Sequence, residues 1–129
     1  MKAEVKALES PGVVDLWDYK PFDYSDFEFR LEMFIGPAGE EQTDLFTVTV
    51  CGLSTVKRFV PKKDFLIEHY KEKGKYYLVM KRYDYTVLRM YLDNYISQCY
   101  SRWWGFIAWQ IQKIAKWERK AKNMIINKQ

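Results

Sequence analysis

Apolar and charged residues alternate with a period of two along Phe27-Glu28-Phe29-Arg30-Leu31-Glu32-Met33-Phe34-Ile35. This is the pattern of a strand with one face buried and the other in water. Phe27, Phe29, Leu31, Met33 and Ile35 are expected inward and Glu28, Arg30 and Glu32 outward, with Phe34 interrupting the polar row. Gly36-Pro37-Ala38-Gly39 ends the limb, because glycine admits positive φ and proline offers no donor to a ladder. Residues 43–51 form a second limb rich in β-branched side chains, with Phe46, Val48 and Val50 in one row and Thr47 and Thr49 in the other. The pattern predicts a hairpin over 27–51 around which the rest of the chain is built.

Elsewhere the patterning is weaker. Residues 1–8 alternate Ala3, Val5 and Ala7 with Lys2, Glu4 and Lys6, which predicts a first strand ended by Ser10-Pro11-Gly12. Residues 13–26 are irregular and interleave Asp15, Asp18, Asp23 and Asp26 with Trp17, Tyr19, Phe22 and Tyr24. Leu53, Val56 and Phe59 at helical spacing predict a short helix stopped by Pro61. Residues 64–75 read as mixed, ending in a polar turn, and 76–83 as a strand. Asp84 or Thr86 can cap a helix over 86–100 whose stripe is Val87, Leu88, Tyr91, Leu92, Tyr95, Ile96 and Cys99. Ser101 can cap a second helix over 102–123, with Trp103, Ile107, Ile111 and Ile114 as its stripe, widened by Trp104, Phe106, Ala108 and Trp117.

Strands first and helices last predict a single α+β domain over 1–129: an antiparallel β-sheet with two C-terminal amphipathic helices packed mainly on one face. The length suffices for an ordinary core. The start of the chain lacks the apolar run of a signal peptide, and no segment is apolar enough to span a membrane, so a cytoplasmic protein is expected. Cys51 and Cys99 are expected as buried free thiols.

The net charge of +4 conceals a division, since residues 1–50 carry eleven acids against four bases and residues 51–129 six acids against seventeen bases. Each half can therefore meet a partner of opposite sign. His69 is the single histidine. No metal-ligand spacing, phosphate loop or buried acid pair is evident, so neither catalysis, a metal nor a cofactor is expected. The basic, aromatic second half offers one alternative, a small nucleic-acid-binding domain using Lys113, Lys116, Arg119 and Lys120. The spread of those bases and the acidity of the first half weigh against it.

In order and spacing, several segments resemble the immunity protein 8 family of bacterial polymorphic-toxin systems. They are Met1-Lys2-Ala3-Glu4-Val5-Lys6, then Ser10-Pro11, Ile35-Gly36-Pro37, Gly39-Glu40-Glu41 and Phe46-Thr47-Val48-Thr49-Val50-Cys51. Tyr77-Leu78-Val79, Tyr83-Asp84-Tyr85 and Trp117-Glu118 are later echoes. The chain departs from the family in the segment Val56-Lys57-Arg58-Phe59 and in the aromatic richness of 95–110.

The resemblance implies a small cytoplasmic inhibitor that forms a heterodimer with a cognate toxin domain, without catalysis, cofactor or membrane contact. If that toxin is a nuclease, its cleft is positive, and an acidic inhibitor surface can fill it. The candidate contact residues are Asp15, Trp17, Asp18, Tyr19, Asp23, Tyr24, Asp26, Glu28, Glu32, Glu40, Glu41 and Asp44.

Overall fold

The computed structural model describes residues 1–118 of the 129. The hairpin forms as the alternation requires. Strand β2 (Glu28–Pro37) pairs antiparallel with β3 (Asp44–Gly52), setting Phe29 against Val50, Leu31 against Val48 and Met33 against Phe46. Each of these side chains is buried. Strand β1 (Ala3–Glu9) adds antiparallel to the other edge of β2.

Two further strands lie beyond β3. Strands β4 (Ile67–Glu72) and β5 (Lys75–Met80) form a tight hairpin through Lys73 and Gly74, whose φ values of 49° and 79° are those of a two-residue primed turn. Strand β5 runs parallel to β3, with Thr49 beside Tyr77 and Gly52 beside Met80. The sheet order is β1-β2-β3-β5-β4. The sheet is thus antiparallel except at one pair: residues 53–66 stay at the end where β3 finishes, and β4 itself carries the chain back so that β5 enters parallel to β3.

Helix α1 (Tyr85–Ser97) starts at Asp84, whose Oδ1 accepts from the backbone N–H groups of Thr86 and Val87. Helix α2 (Trp104–Ile111) follows. Leu88, Leu92 and Ile96 of α1 and Ile107, Ala108 and Ile111 of α2 join one core with the inward row of β2 and β3, so both helices cover the same face. The opposite face carries a smaller cluster in which Phe59, Leu53, Val56 and Phe65 lie over Cys51 and Val79.

Three expectations need correction. Residues 53–60 form turns rather than a helix. Their backbone donors are taken by tertiary partners: Leu53 N–H goes to Met80 O and Ser54 N–H to Ser25 O. Residues 67–72, read as mixed, are an edge strand. The second helix is shorter than expected, running from Trp104, after the N-cap residue Trp103 whose side chain makes no capping bond, to Ile111. The chain then extends as β6 (Lys116–Glu118), antiparallel to β3 at Leu45–Thr47. Trp117 stacks on Phe46 with centroids 6.2 Å apart, and the indole donates to Asp44 Oδ2 at 3.0 Å, a site that exists only in the extended form. The remainder of the expected helix, 119–123, lies outside the described residues, as do Arg119 and Lys120.

Candidate binding surfaces

The connection between β1 and β2 is held in place along most of its length. Leu16 is buried, and the Tyr83 hydroxyl donates to its carbonyl. Tyr19 meets Phe27, Phe29 and Tyr83 edge-on, with the Tyr83 centroid at 5.0 Å. Trp17 lies edge-on against Tyr85 at the start of α1, at 5.4 Å. Farther along, Tyr83 N–H donates to Tyr24 O, and the Arg82 guanidinium sits over the Tyr24 ring at 5.1 Å. The turn at 25–26 approaches the end of β3 so closely that a Cβ on Gly52 would stand 2.2 Å from Ser25 O. Only glycine fits there.

The carboxyl groups of this connection shape it while remaining in water. Asp15 Oδ1 accepts from Trp17 N–H, Asp23 Oδ1 accepts from the N–H and hydroxyl of Ser25, and Asp26 Oδ1 accepts from the Thr55 hydroxyl. The donated backbone bond of Ser25, followed by that of its hydroxyl, holds the Asp23 carboxyl below its ordinary pKa. Asp15, Asp18, Asp23 and Asp26 are all exposed. So are Val14, Trp17 and Phe22, with Trp17 65% accessible and Phe22 fully so. The result is a surface of net negative charge, with four aspartates against Lys20, studded with apolar side chains.

The other candidates are dispersed. Glu28 and Glu32 project from the face of the sheet opposite the helices, where Glu28 lines an open groove with Arg30, Lys75 and Lys116. Glu32 pairs with Arg30 at 3.8 Å, so the charge of that face is mixed. Glu40 and Glu41 occupy the β2–β3 turn, the length of β2 away from the aspartates, about 30 Å for ten residues. Asp44 is 5% exposed, and its Oδ2 accepts from the indoles of Trp104 at 2.8 Å and Trp117 at 3.0 Å. It therefore belongs to the interior, not to the surface on which the sequence expected it. Tyr19 and Tyr24 are half-buried and support the loop from beneath.

A second exposed surface was not anticipated. Trp103, Phe106 and Trp109 of the α2 region are 63%, 61% and 60% accessible. The sequence pattern puts Trp103 in the apolar stripe and Phe106 beside it and leaves Trp109 out, whereas on α2 the buried residues are Ile107, Ala108 and Ile111. The signal available was the excess of apolar residues over what one face of an eight-residue helix can bury.

Cys51 and Cys99 are buried and free. Burial, reinforced by Glu28, pushes the Cys51 thiol up to about 12. His69, on β4, shares a 3.0 Å hydrogen bond with the Tyr91 hydroxyl. Among the described residues no group of three or more His, Cys, Asp or Glu side chains is placed to hold a metal ion, and no helix is long and apolar enough to cross a membrane.

The sequence model of one family, described as immunity protein 8, matches residues 3–121. No curated protein and no solved structure matches the chain.

Proposed function

The chain belongs to the immunity protein 8 family, which implies a toxin as its counterpart, and from that premise we propose that it neutralises a cognate toxin domain by direct binding. The inhibitor acts in the cytoplasm, stoichiometrically and without catalysis of its own. The toxin domain is a nuclease, whose phosphate-holding cleft is positive. The contact is made through the β1–β2 connection, with Asp15, Asp18, Asp23 and Asp26 supplying charge and Trp17 supplying apolar area.

One observation supports this reading above the rest: the loop is acidic, aromatic and already ordered. Its carboxyl groups stay in water while the backbone carbonyls of Tyr24, Ser25 and Phe27 are tied to Tyr83, Ser54, Gly52 and Thr55. A surface fixed before encounter avoids most of the ordering cost of binding. Four like charges on one exposed loop attract a positive cleft over about a Debye length and speed association. Glu28, Glu32, Glu40 and Glu41 extend the negative field at a distance but do not join this contact, and Asp44 takes no part.

The test is a titration of the toxin domain encoded by the neighbouring reading frame with the purified chain. Toxin activity should fall linearly to zero at one equivalent, with a 1:1 complex on size exclusion. Undiminished toxin activity at a several-fold excess of inhibitor would reject the reading.

A further inference from the structure

Two exposed indoles and a phenyl ring within seven residues demand a partner. Phe106 and Trp109 stand three apart on α2 and Trp103 is its N-cap residue, and together their side chains form an exposed ridge. Trp103, Phe106 and Trp109 line a shallow hollow whose floor is Gly105, which has open space where a Cβ would be. Keeping this much aromatic area in water serves no packing purpose, because the buried side of α2 is complete without it.

The ridge lies away from the acidic loop. Tyr85, at the start of α1, touches Trp17, while beyond its far end Cys99 O accepts from Ala3 N–H and Ser101 O from the Met1 ammonium. The thirteen residues of α1 separate the two surfaces by about 20 Å. Both lie on the helix side of the sheet. Their charge is opposite. No Asp or Glu occurs from Asn94 to Trp117, and the ridge is flanked by exposed Arg102 and Lys113, with Lys113 Nζ 5.6 Å from the centre of the Trp109 ring.

We propose that this ridge is the apolar anchor of the toxin contact, seating Trp103 and Trp109 in a pocket of the toxin rimmed by carboxylates. The proposal rests on the reading of the chain as a toxin inhibitor. Charge selects the occupant. Two copies meeting ridge to ridge would set Arg102 and Lys113 against their own images. Among the described residues a nucleic acid would find two flanking cations, one of them lying over the ring on which a base would stack. A lipid surface would find an amphipathic helix of only eight residues. Trp, Phe and Arg with few acids are the composition of the centre of a protein interface. A contact of ordinary size, about 800 Å² per partner, is about 30 Å across and reaches both ends of α1. The acidic loop and the basic ridge then fix the toxin in one orientation, because a reversed partner would meet like charge at both ends.

The experiment measures binding kinetics on the immobilised, catalytically inactivated toxin domain from the neighbouring reading frame. The inhibitor is used as the full chain and as two variants. Trp103→Ser with Trp109→Ser removes the ridge. Arg102→Glu with Lys113→Glu keeps every ring, so that any loss does not depend on the first variant's folding. The ridge variant should dissociate about 100-fold faster with association within about threefold of the parent, and the charge variant at least about tenfold faster. Parent-like dissociation of both variants, with the parent binding normally, overturns the ridge assignment and leaves the inhibitor reading intact. Failure of the parent itself to bind overturns both. The same proteins are passed over a 20-mer of uridylate RNA and phosphatidylglycerol vesicles and examined by sedimentation velocity. Ridge-dependent RNA binding, vesicle binding or self-association, with toxin dissociation unchanged, assigns the ridge to that occupant instead.

Discussion

The indole nitrogen of Trp104 donates to Oδ2 of Asp44 at 2.8 Å, joining the first turn of α2 to the first residue of β3 across sixty positions of sequence. Trp117 donates to the same oxygen from β6. One buried carboxyl group thus connects the helix layer, the hairpin and the last described strand.

Asp44→Ala should therefore be among the most damaging single changes to an acid in this chain. It removes the acceptor that the Trp104 and Trp117 indoles share and should cost about 2–4 kcal/mol, read as a lower urea midpoint at unchanged slope. Asp44→Asn keeps an acceptor oxygen and should cost about 1 kcal/mol or less. Equal losses in the two variants would contradict the pairing.

Gly52→Ala should loosen the acidic loop without touching it in sequence. The new Cβ would stand 2.2 Å from Ser25 O, so either the loop or the end of β3 must move. A destabilisation of about 1–3 kcal/mol is expected. Amide exchange should quicken at Ser54, whose N–H is bonded to Ser25 O. A neutral substitution would show that the close approach is not required.

Stability should fall in mild alkali. Burial raises Cys51 from 9.0 to about 12 and Tyr91 from 10.0 to about 12. The unfolded chain therefore releases these protons first. The stability each contributes is complete below its unfolded value and is lost as pH climbs from there toward about 12. Urea midpoints taken from pH 8 upward should decline from about pH 9, and Cys51→Ala should make that first decline shallower, leaving the part due to Cys99, whose thiol burial also raises. A thiol reagent at pH 8 should modify Cys51 only after denaturation. Rapid labelling of the native protein would refute its burial.

The hairpin was legible because period-two alternation has one structural solution when a single face is buried. Asp44 shows what that rule held unused. It has the parity of Phe46, Val48 and Val50, so the alternation places it on the inward row, while its acidic neighbours suggested the surface. Strand β4 was hidden because an edge strand is half-wet on both sides, and Glu68, His69, Lys71 and Glu72 carry no apolar rhythm. The exchange of helix for strand at Lys116–Glu118 depends on the slot between Phe46 and Asp44, a tertiary feature with no local trace. For the surfaces, the interleaved aspartates and aromatics of residues 13–26 were visible as an unusual connection. The exposure of Trp103, Phe106 and Trp109 was not, because hydrophobicity alone does not say which side of a short helix faces inward.

The central claim is that the acidic β1–β2 connection meets the toxin, and one kinetic measurement addresses it most directly. Asp18, Asp23 and Asp26 are reversed together to lysine, and association with the inactivated toxin domain is followed from about 20 to 500 mM salt. All three side chains are exposed, but Asp23 and Asp26 also hold the loop through Ser25 and Thr55, so a companion variant with asparagine at the three positions keeps those acceptors and removes only the charge. The account predicts association about 10- to 100-fold slower at low salt, a difference that shrinks as salt rises, and dissociation changed far less. Association and toxin neutralisation equal to the parent across the whole salt range would contradict it.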